Sequence, residues 1–461
     1  MASDRSSQNA ILWFKNDLRL DDNPALNQAA AADTLVCVYC VDRRFDTQTI
    51  FGTPKIGRHR QAFIGESLTA LDTELRARGG QLVVCRGEPE HTLLELVQRL
   101  GANTVWAEDE RAPEELAQLE RVRAALGNTA ALRTAPDNTL YQANDLPFAV
   151  ADIPRTYTRF RKAVEKHIAV DAPVAAPQRL PGPPEAAAAM TERFATIDWP
   201  SNDTPFVGSE CAAHARLDHY FWHSDRIASY KATRNGLLGL DDSSKLSPWL
   251  ALGCISARRI AAVLADYEDQ VVANESTYWL LFELRWREFF HWILAAEGGR
   301  LFQRGGLQDR TDRPTAAEPE RLQAWQHGRT GLPFIDAGMR ELATTGYLSN
   351  RARQNVASYL AHDLAQDWRY GAAWFEAQLV DYDAASNWGN WATVAGVGTD
   401  KRDQRFDVLA QAERYDPQAA YITYWIPELG ALPVAERHRP WQVDADTLAA
   451  TGYPRIAYPP G

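Results

Sequence analysis

The sequence predicts an α/β domain built on a parallel sheet, joined by an extended connection to an all-α domain. Three observations predict it. Short apolar runs alternate with amphipathic stretches as far as residue 135, a proline- and alanine-rich segment follows, and from Gly208 onward the apolar periodicity is helical. At 461 residues the chain also exceeds one ordinary core, since single cores stop growing at about 250–300 residues.

The strands come first: AILWF at 10–14, TLVCVYCV at 34–41, QLVVCRG at 81–87 and TVWAED at 104–109, separated by helical stretches such as 58–78 and 114–126. That rhythm of strand, crossover helix and strand makes a Rossmann-like parallel sheet covered by helices, whose ligands sit beyond the carboxyl ends of the strands. Neither GxGxxG nor GxxxxGK[ST] occurs, so a standard dinucleotide or nucleoside triphosphate grip is unsupported. The expected domains are 1–135 (α/β), 136–207 (linker) and 208–461 (helical). Within the linker, DAPVAAPQRLPGPPEAAAAM reads as an extended connection with one short helix.

Five scattered cysteines, Cys37, Cys40, Cys85, Cys211 and Cys254, have no zinc spacing, and the CxxC of Cys37 and Cys40 lies inside an apolar strand rather than an exposed redox turn. The opening MASDRSSQNA has no apolar signal core and no run of about 18 apolar residues follows, so a cytoplasmic protein without a membrane span is expected. A formal charge of −11 argues against indiscriminate nucleic-acid binding but leaves room for local basic patches. Arg155, Arg159, Arg161, Lys162 and Lys166 form one; Arg340, Arg351, Lys401, Arg402 and Arg405 flank the polar helices.

Those helices hold the strongest functional signal. In the stretch from Asn350 to Trp391, Asn350, Arg353 and Gln354 share one helical face, with Val356, Tyr359, Leu360 and Leu364 as an apolar stripe; Asp381, Asp383 and Asn387 follow, Asn387 one turn before Trp391. A second polar set, Glu283, Trp286, Arg287 and Phe290, repeats the spacing in an otherwise apolar helix. Buried charges are costly unless paired or used, and two such faces suit a flat, polar, redox-active ligand. Arg353 pairing with Asp381 to tie two helices together is the plain structural alternative. Of the fifteen tryptophans, ten lie between Trp279 and Trp441, and core packing accounts for most of them.

These motifs resemble the photolyase and cryptochrome family, nearest its DASH branch. WFKNDLRLDDNPAL, TLYQANDLPFAVADIPRTYTRFRKAVE, GLLGLDDSSKLSPWLALGCIS, ELRWREFF, GLPFIDAGMRELATTGYLSNRARQNVAS, DYDAASNWGNW and WIPEL occur in family order across nearly the whole chain. The resemblance implies FAD in the helical domain. By motif position, Tyr230 and Ser243, Ser244, Lys245, Leu246 and Ser247 would hold its phosphates and ribitol, a helix start being suited to an anion. Arg287 and Asn350 would line the cavity, Arg353 and Asp381 would pair over the ring, Asp383 would accept from it, and Asn387 would face N5, as in members that stabilise the reduced cofactor.

The resemblance further implies light-driven splitting of cyclobutane pyrimidine dimers. Glu283 would hydrogen-bond the pyrimidine, Trp286 would stack on it, and Asn350, Arg351 and Gln411 would touch lesion or DNA backbone. Trp391, Trp368 and Trp325 match the family's chain for photoreduction. A folate antenna, methenyltetrahydrofolate, is the family expectation for the α/β domain, where Glu110 and Glu114 or Glu115 could meet a pterin. Thr393 departs from the repair pattern, which has a stacking aromatic there. Losing a stacked base is worth about 1–3 kcal/mol, which favours single-stranded DNA, where flipping costs least. Gln354 fits the DASH branch, and Asn350 and Gln354 replace the histidine pair of 6-4 photolyases.

The competing function is a blue-light receptor that signals through flavin photoreduction with little repair, a reading Thr393 favours. A glycosidase using Asp381 or Asp383 is disfavoured, because carboxylates two residues apart on a helix diverge whereas a working pair stands about 5–9.5 Å apart across a bond. DYDAASN lacks the ligand alternation and central glycine of a calcium loop.

Overall fold

The computed structural model describes residues 8–136, 139–187, 197–400 and 402–455. Lys401 and the alanine-rich end of the linker lie outside the described residues.

Five parallel strands, β1 (Asn9–Phe14), β2 (Thr34–Asp42), β3 (Leu82–Gly87), β4 (Thr104–Glu108) and β5 (Ala131–Ala135), are ordered β3-β2-β1-β4-β5. The crossover helices are α1 (Pro24–Ala29), α2 (Arg58–Ala77), α3 (Pro89–Leu100) and α4 (Pro113–Leu126). Strand alternation sorts the two faces of the sheet. Ile11, Trp13, Val36 and Val38 face a core closed by Leu93, Leu96 and Val122, whereas Leu12, Phe14 and Cys37 face a core continuous with that of the helical domain. The two domains therefore share one hydrophobic interior. Arg258 and Asp22, both buried, pair at 3.0 Å across the junction, and Arg19 donates to the Gly253 carbonyl at 2.9 Å.

Two expectations need correction. β5, sequence ALRTA, escaped the strand reading because an edge strand carries no continuous apolar run; only its last residue is buried. The segment 136–207 is not simply extended, for it holds α5 (Tyr157–His167), whose Tyr157, Phe160 and Val164 are buried at helical spacing.

The helical domain contributes α6 (Ser247–Ala251), α7 (Glu275–Glu297), α8 (Pro319–Gln326), α9 (Asn350–Ser358), α10 (Trp368–Gln378) and α11 (Ala384–Val394). The Asn274 side chain caps α7 by accepting from the Ser276 and Thr277 amides. α9 widens into a π turn at Tyr359–Asp363, so the apolar stripe is buried but not on one regular helix. Glycines let three helices close up: a Cβ on Gly389 would stand 2.3 Å from Phe290, and one on Gly371 2.2 Å from Trp391. Among the described residues no helix is long and apolar enough to cross a membrane.

Candidate functional site

Arg353 and Asp381 meet at the centre of the helical domain. The guanidinium donates to both carboxylate oxygens, at 3.0 and 2.8 Å, the Ser247 hydroxyl adds 2.6 Å to Asp381, and Arg353 Nε holds the Leu348 carbonyl at 2.6 Å. Burial disfavours the arginine's charge, but Asp381, with Tyr347 and Glu341, more than offsets it and the pKa is raised. The carboxylates Asp381 and Asp383 precede α11 rather than lying on it, which corrects the helical premise used above. They still diverge: Asp381 turns to Arg353, while Asp383 caps α11 through the Ser386 amide at 2.7 Å and stands 3.1 Å from His291 Nε2. Burial opposes ionisation of Asp383, yet His291 and Arg287 hold its pKa far below the usual range. Burial lowers that of His291.

The groups that flank this pair in sequence are polar and incompletely satisfied. Gln354 Oε1 is buried with no partner among the described residues. Asn387 Nδ2 donates to the Ala372 carbonyl at 3.0 Å, which fixes the amide's orientation, because a carbonyl can only accept; its oxygen is the group left to present. Lys245, buried, takes a left-handed backbone (φ 55°) and lies 5.0 Å over the Tyr347 ring. Such a conformation costs on the order of 1–3 kcal/mol off glycine and persists where the surroundings enforce it. Arg216 grips the Ser243 and Ser244 carbonyls at 3.0 and 2.8 Å, bracing that loop. Leu246 and Tyr230 are buried, and Asn350 is exposed at the start of α9. A pair of neutral amides, a braced serine loop and a fixed ion pair fit a flat ring system carrying phosphates.

Glu283 is tied to Arg234 at 2.6 Å and to Trp279 Nε1 at 3.0 Å; burial raises its pKa. Trp286, half-buried one turn on, has one face covered by Tyr157, stacked at 3.8 Å. Arg351 reaches Gln411 at 3.4 Å and Asn235 at 3.2 Å and lies over Tyr415. Five of the other basic residues named from the sequence are already paired: Arg155 with Glu297, Arg161 with Glu165, Arg340 with Glu428, Arg402 with Asp400 and Arg405 with Asp363.

Trp391 and Trp325 are neighbours, ring centres 6.1 Å apart, bridged by Phe375. Trp368 makes its ring contact with Trp388 instead, at 5.8 Å. All three matched tryptophans are at most 3 % exposed.

A cavity of about 160 Å³ opens between the domains. It lies beyond the carboxyl ends of β1 and β4, where the strand order reverses. Lys15 pairs with Glu110 at 2.5 Å, and Lys55 bridges Glu114 at 2.5 Å and Glu376 at 3.0 Å. Burial pushes the carboxyls of Glu108 and Glu110 upward and that of Glu115 to about 7. Arg287 and Asp383, which the resemblance assigns to the flavin, line this cleft.

Residue-type reasoning missed Arg234, Trp279, His291, Tyr157 and Trp388. The spacing of Trp279 and Glu283, one helical turn, was the available signal for one of them; the others meet the site only through tertiary packing.

Known proteins extend the picture. Residues 279–459 match the family model described as the FAD binding domain of DNA photolyase, and residues 10–181 that of DNA photolyase. The chain is 47 % identical over 445 residues to a cryptochrome DASH of Natronomonas pharaonis, covering 94 % of this chain and 93 % of that one. It is 43 % identical to a cryptochrome DASH of Synechocystis, covering 94 % and 91 %. The Synechocystis cryptochrome crystal structure superposes with a TM-score of 0.92 at 40 % identity, covering 98 % of this chain and 96 % of that one. A class III photolyase from Agrobacterium tumefaciens superposes with 0.82 at 28 % identity, covering 100 % and 96 %.

Proposed function

Because the chain belongs to the photolyase and cryptochrome family, in its cryptochrome DASH branch, we propose that it is a blue-light-driven, FAD-dependent lyase that splits cyclobutane pyrimidine dimers and prefers single-stranded DNA. The observation that carries this reading is the neighbourhood of Glu283 and Tyr230: Arg234, whose amide donates to the Tyr230 carbonyl at 2.9 Å, holds the Glu283 carboxylate at 2.6 Å, so lesion and FAD would share one wall.

FAD supplies the light absorption and the electron; the protein binds, orients and excludes water. Ser243–Ser247 and Tyr230 would hold its phosphates and ribitol, with the Arg353–Asp381–Ser247 cluster fixing the ring from one side. Asn387, its amino group spent on the Ala372 carbonyl, would offer N5 a neutral acceptor. Glu283, held between Arg234 and Trp279, would accept from a pyrimidine N–H, and the free face of Trp286 would stack on it. The buried Trp391, Trp325 and Trp368 would relay electrons during photoreduction.

Thr393 supports the strand preference. Its hydroxyl turns back to the Gly389 carbonyl at 2.7 Å, so it supplies no stacking wall against the cost of flipping a paired base. The same residue favours the second reading, a blue-light receptor. For the inter-domain cleft we propose an antenna chromophore, methenyltetrahydrofolate first, because raised carboxyls there can hydrogen-bond a pterin edge. A second flavin is the other candidate, the Sulfolobus tokodaii photolyase structure being described with two FAD molecules.

The test is light-dependent loss of thymine dimers from single-stranded and matched duplex oligonucleotides, using photoreduced protein of known flavin content. Repair confined to the single strand is expected. Photoreduction without repair of either strand would favour the receptor.

A further inference from the structure

We infer that α5 and the first half of α7 form a stacking and phosphate track for the single strand that flanks the lesion, with Trp279 as its outer platform. This rests on the reading above only for where the lesion sits. A run of rings leads away from Trp286: Tyr157 stacks on it at 3.8 Å, Phe282 meets Tyr157 edge-on at 5.0 Å, and Trp279 stacks on Phe282 at 4.7 Å and 27°. The Tyr157 hydroxyl donates to the Phe282 carbonyl at 2.6 Å, locking α5 to α7.

Cations cover the run. Lys231 Nζ stands 4.8 Å and the Arg234 guanidinium 5.4 Å over Trp279, and the Arg161 guanidinium 5.4 Å over Phe282. On α5, Arg159, Lys162 and Lys166 are exposed at i, i+3 and i+7, on the outer face of the helix opposite the buried Tyr157, Phe160 and Val164, so they extend the positive charge beyond the rings. The acids present are Glu165, Glu275 and Glu283, and the Lys231 partner Glu275 is a surface group, 84 % exposed, whose pairing contributes little and yields readily to a phosphate.

An ordinary helix joint would bury these rings. Here Trp279 and Phe282 stay partly open and Tyr278 is exposed, beside a concentration of positive charge in a chain of net charge −11. Aromatic rings interleaved with cations are how sequence-tolerant single-strand binders work, so the occupant is single-stranded DNA: Phe282 backs one face of Trp279, a base takes the other as Lys231 turns from the ring to a phosphate, and further phosphates run along α5.

The experiment is fluorescence anisotropy of the FAD-loaded protein with an undamaged labelled hexathymidylate over a salt series. Trp279→Ala should weaken binding about tenfold or more, as loss of one stacked base does. Trp279→Phe keeps a ring face and removes only the N–H to Glu283, and should bind within about threefold of the parent. The double variant Lys162→Gln, Lys166→Gln should reduce the salt slope by about 1.4, two phosphates at about 0.7 each. Parent-like binding by a flavin-replete Trp279→Ala overturns the track, as does failure of the parent to bind. Should Trp279→Ala lose flavin, an unchanged slope in the double variant overturns it. Hexathymidylate binding without dimer splitting would sink the repair reading and leave the track standing.

Discussion

The centre of the helical domain and the inter-domain cleft handle charge in opposite ways. In the helical domain the central arginine and carboxylate are matched one to one and hydrogen-bonded around their edges. In the inter-domain cleft carboxyls outnumber lysines, and burial raises Glu108, Glu110 and Glu115 together. A matched site is rigid before its ligand arrives. A site with surplus acids holds protons until something displaces them, so occupancy, pH and stability are coupled there.

Breaking the matched pair should have the largest effect. Arg353→Ala strands a buried Asp381, a change that costs about 3–5 kcal/mol, and is expected to lower the unfolding midpoint sharply and release flavin; unaltered flavin content in a cooperatively melting variant would show that the pair is not central. Next in size, Glu283→Ala should cut dimer splitting about tenfold or more, as a lost hydrogen bond to a charged group of about 1.5–3 kcal/mol does, while photoreduction stays at the parent rate. Equal losses in both assays would point to a flavin defect. Trp391→Phe should slow photoreduction with FAD still bound, and because Trp325 is its ring neighbour, Trp325→Phe should slow it too; an unchanged rate removes that residue from the relay.

The smallest effect belongs to the cleft and has a definite sign. A carboxyl raised on folding favours the protonated native state, so its stabilisation is complete below the unfolded value near 4.5 and is lost as pH rises toward the folded value, about 7 for Glu115. The unfolding midpoint should therefore decline through that window, and Glu115→Gln should flatten the decline; a midpoint that rises there would contradict the surplus-acid picture. Asp383 acts oppositely: its folded value lies below 3.8, so what it contributes is present at neutral pH and lost in acid.

Much of this architecture was legible in the chain. Four of five strands announced themselves as apolar runs, and β5 did not because an edge strand of ALRTA needs none. The family motifs carried the residues proposed for the flavin, and the resemblance rather than periodicity assigned those roles. What stayed hidden were partners supplied from elsewhere in the fold. Arg234 reaches Glu283 across 49 positions, and Tyr157 comes from a stretch read as linker to cover Trp286. Sequence spacing reports who shares a helix face; it carries nothing about which second element closes over that face.

The Trp325 indole N–H ends on the Val356 carbonyl at 2.9 Å, and that of Trp368 on the Arg304 carbonyl at 3.0 Å. An indole that has surrendered an electron becomes far more acidic than the neutral ring, but an amide oxygen is too feeble a base to take its proton, and the burial of both rings keeps bulk water from doing so. A hole on either ring would thus remain a cation, free to migrate onward or recombine, and the lifetime of charge separation would be governed by the backbone groups that hold the ring nitrogens.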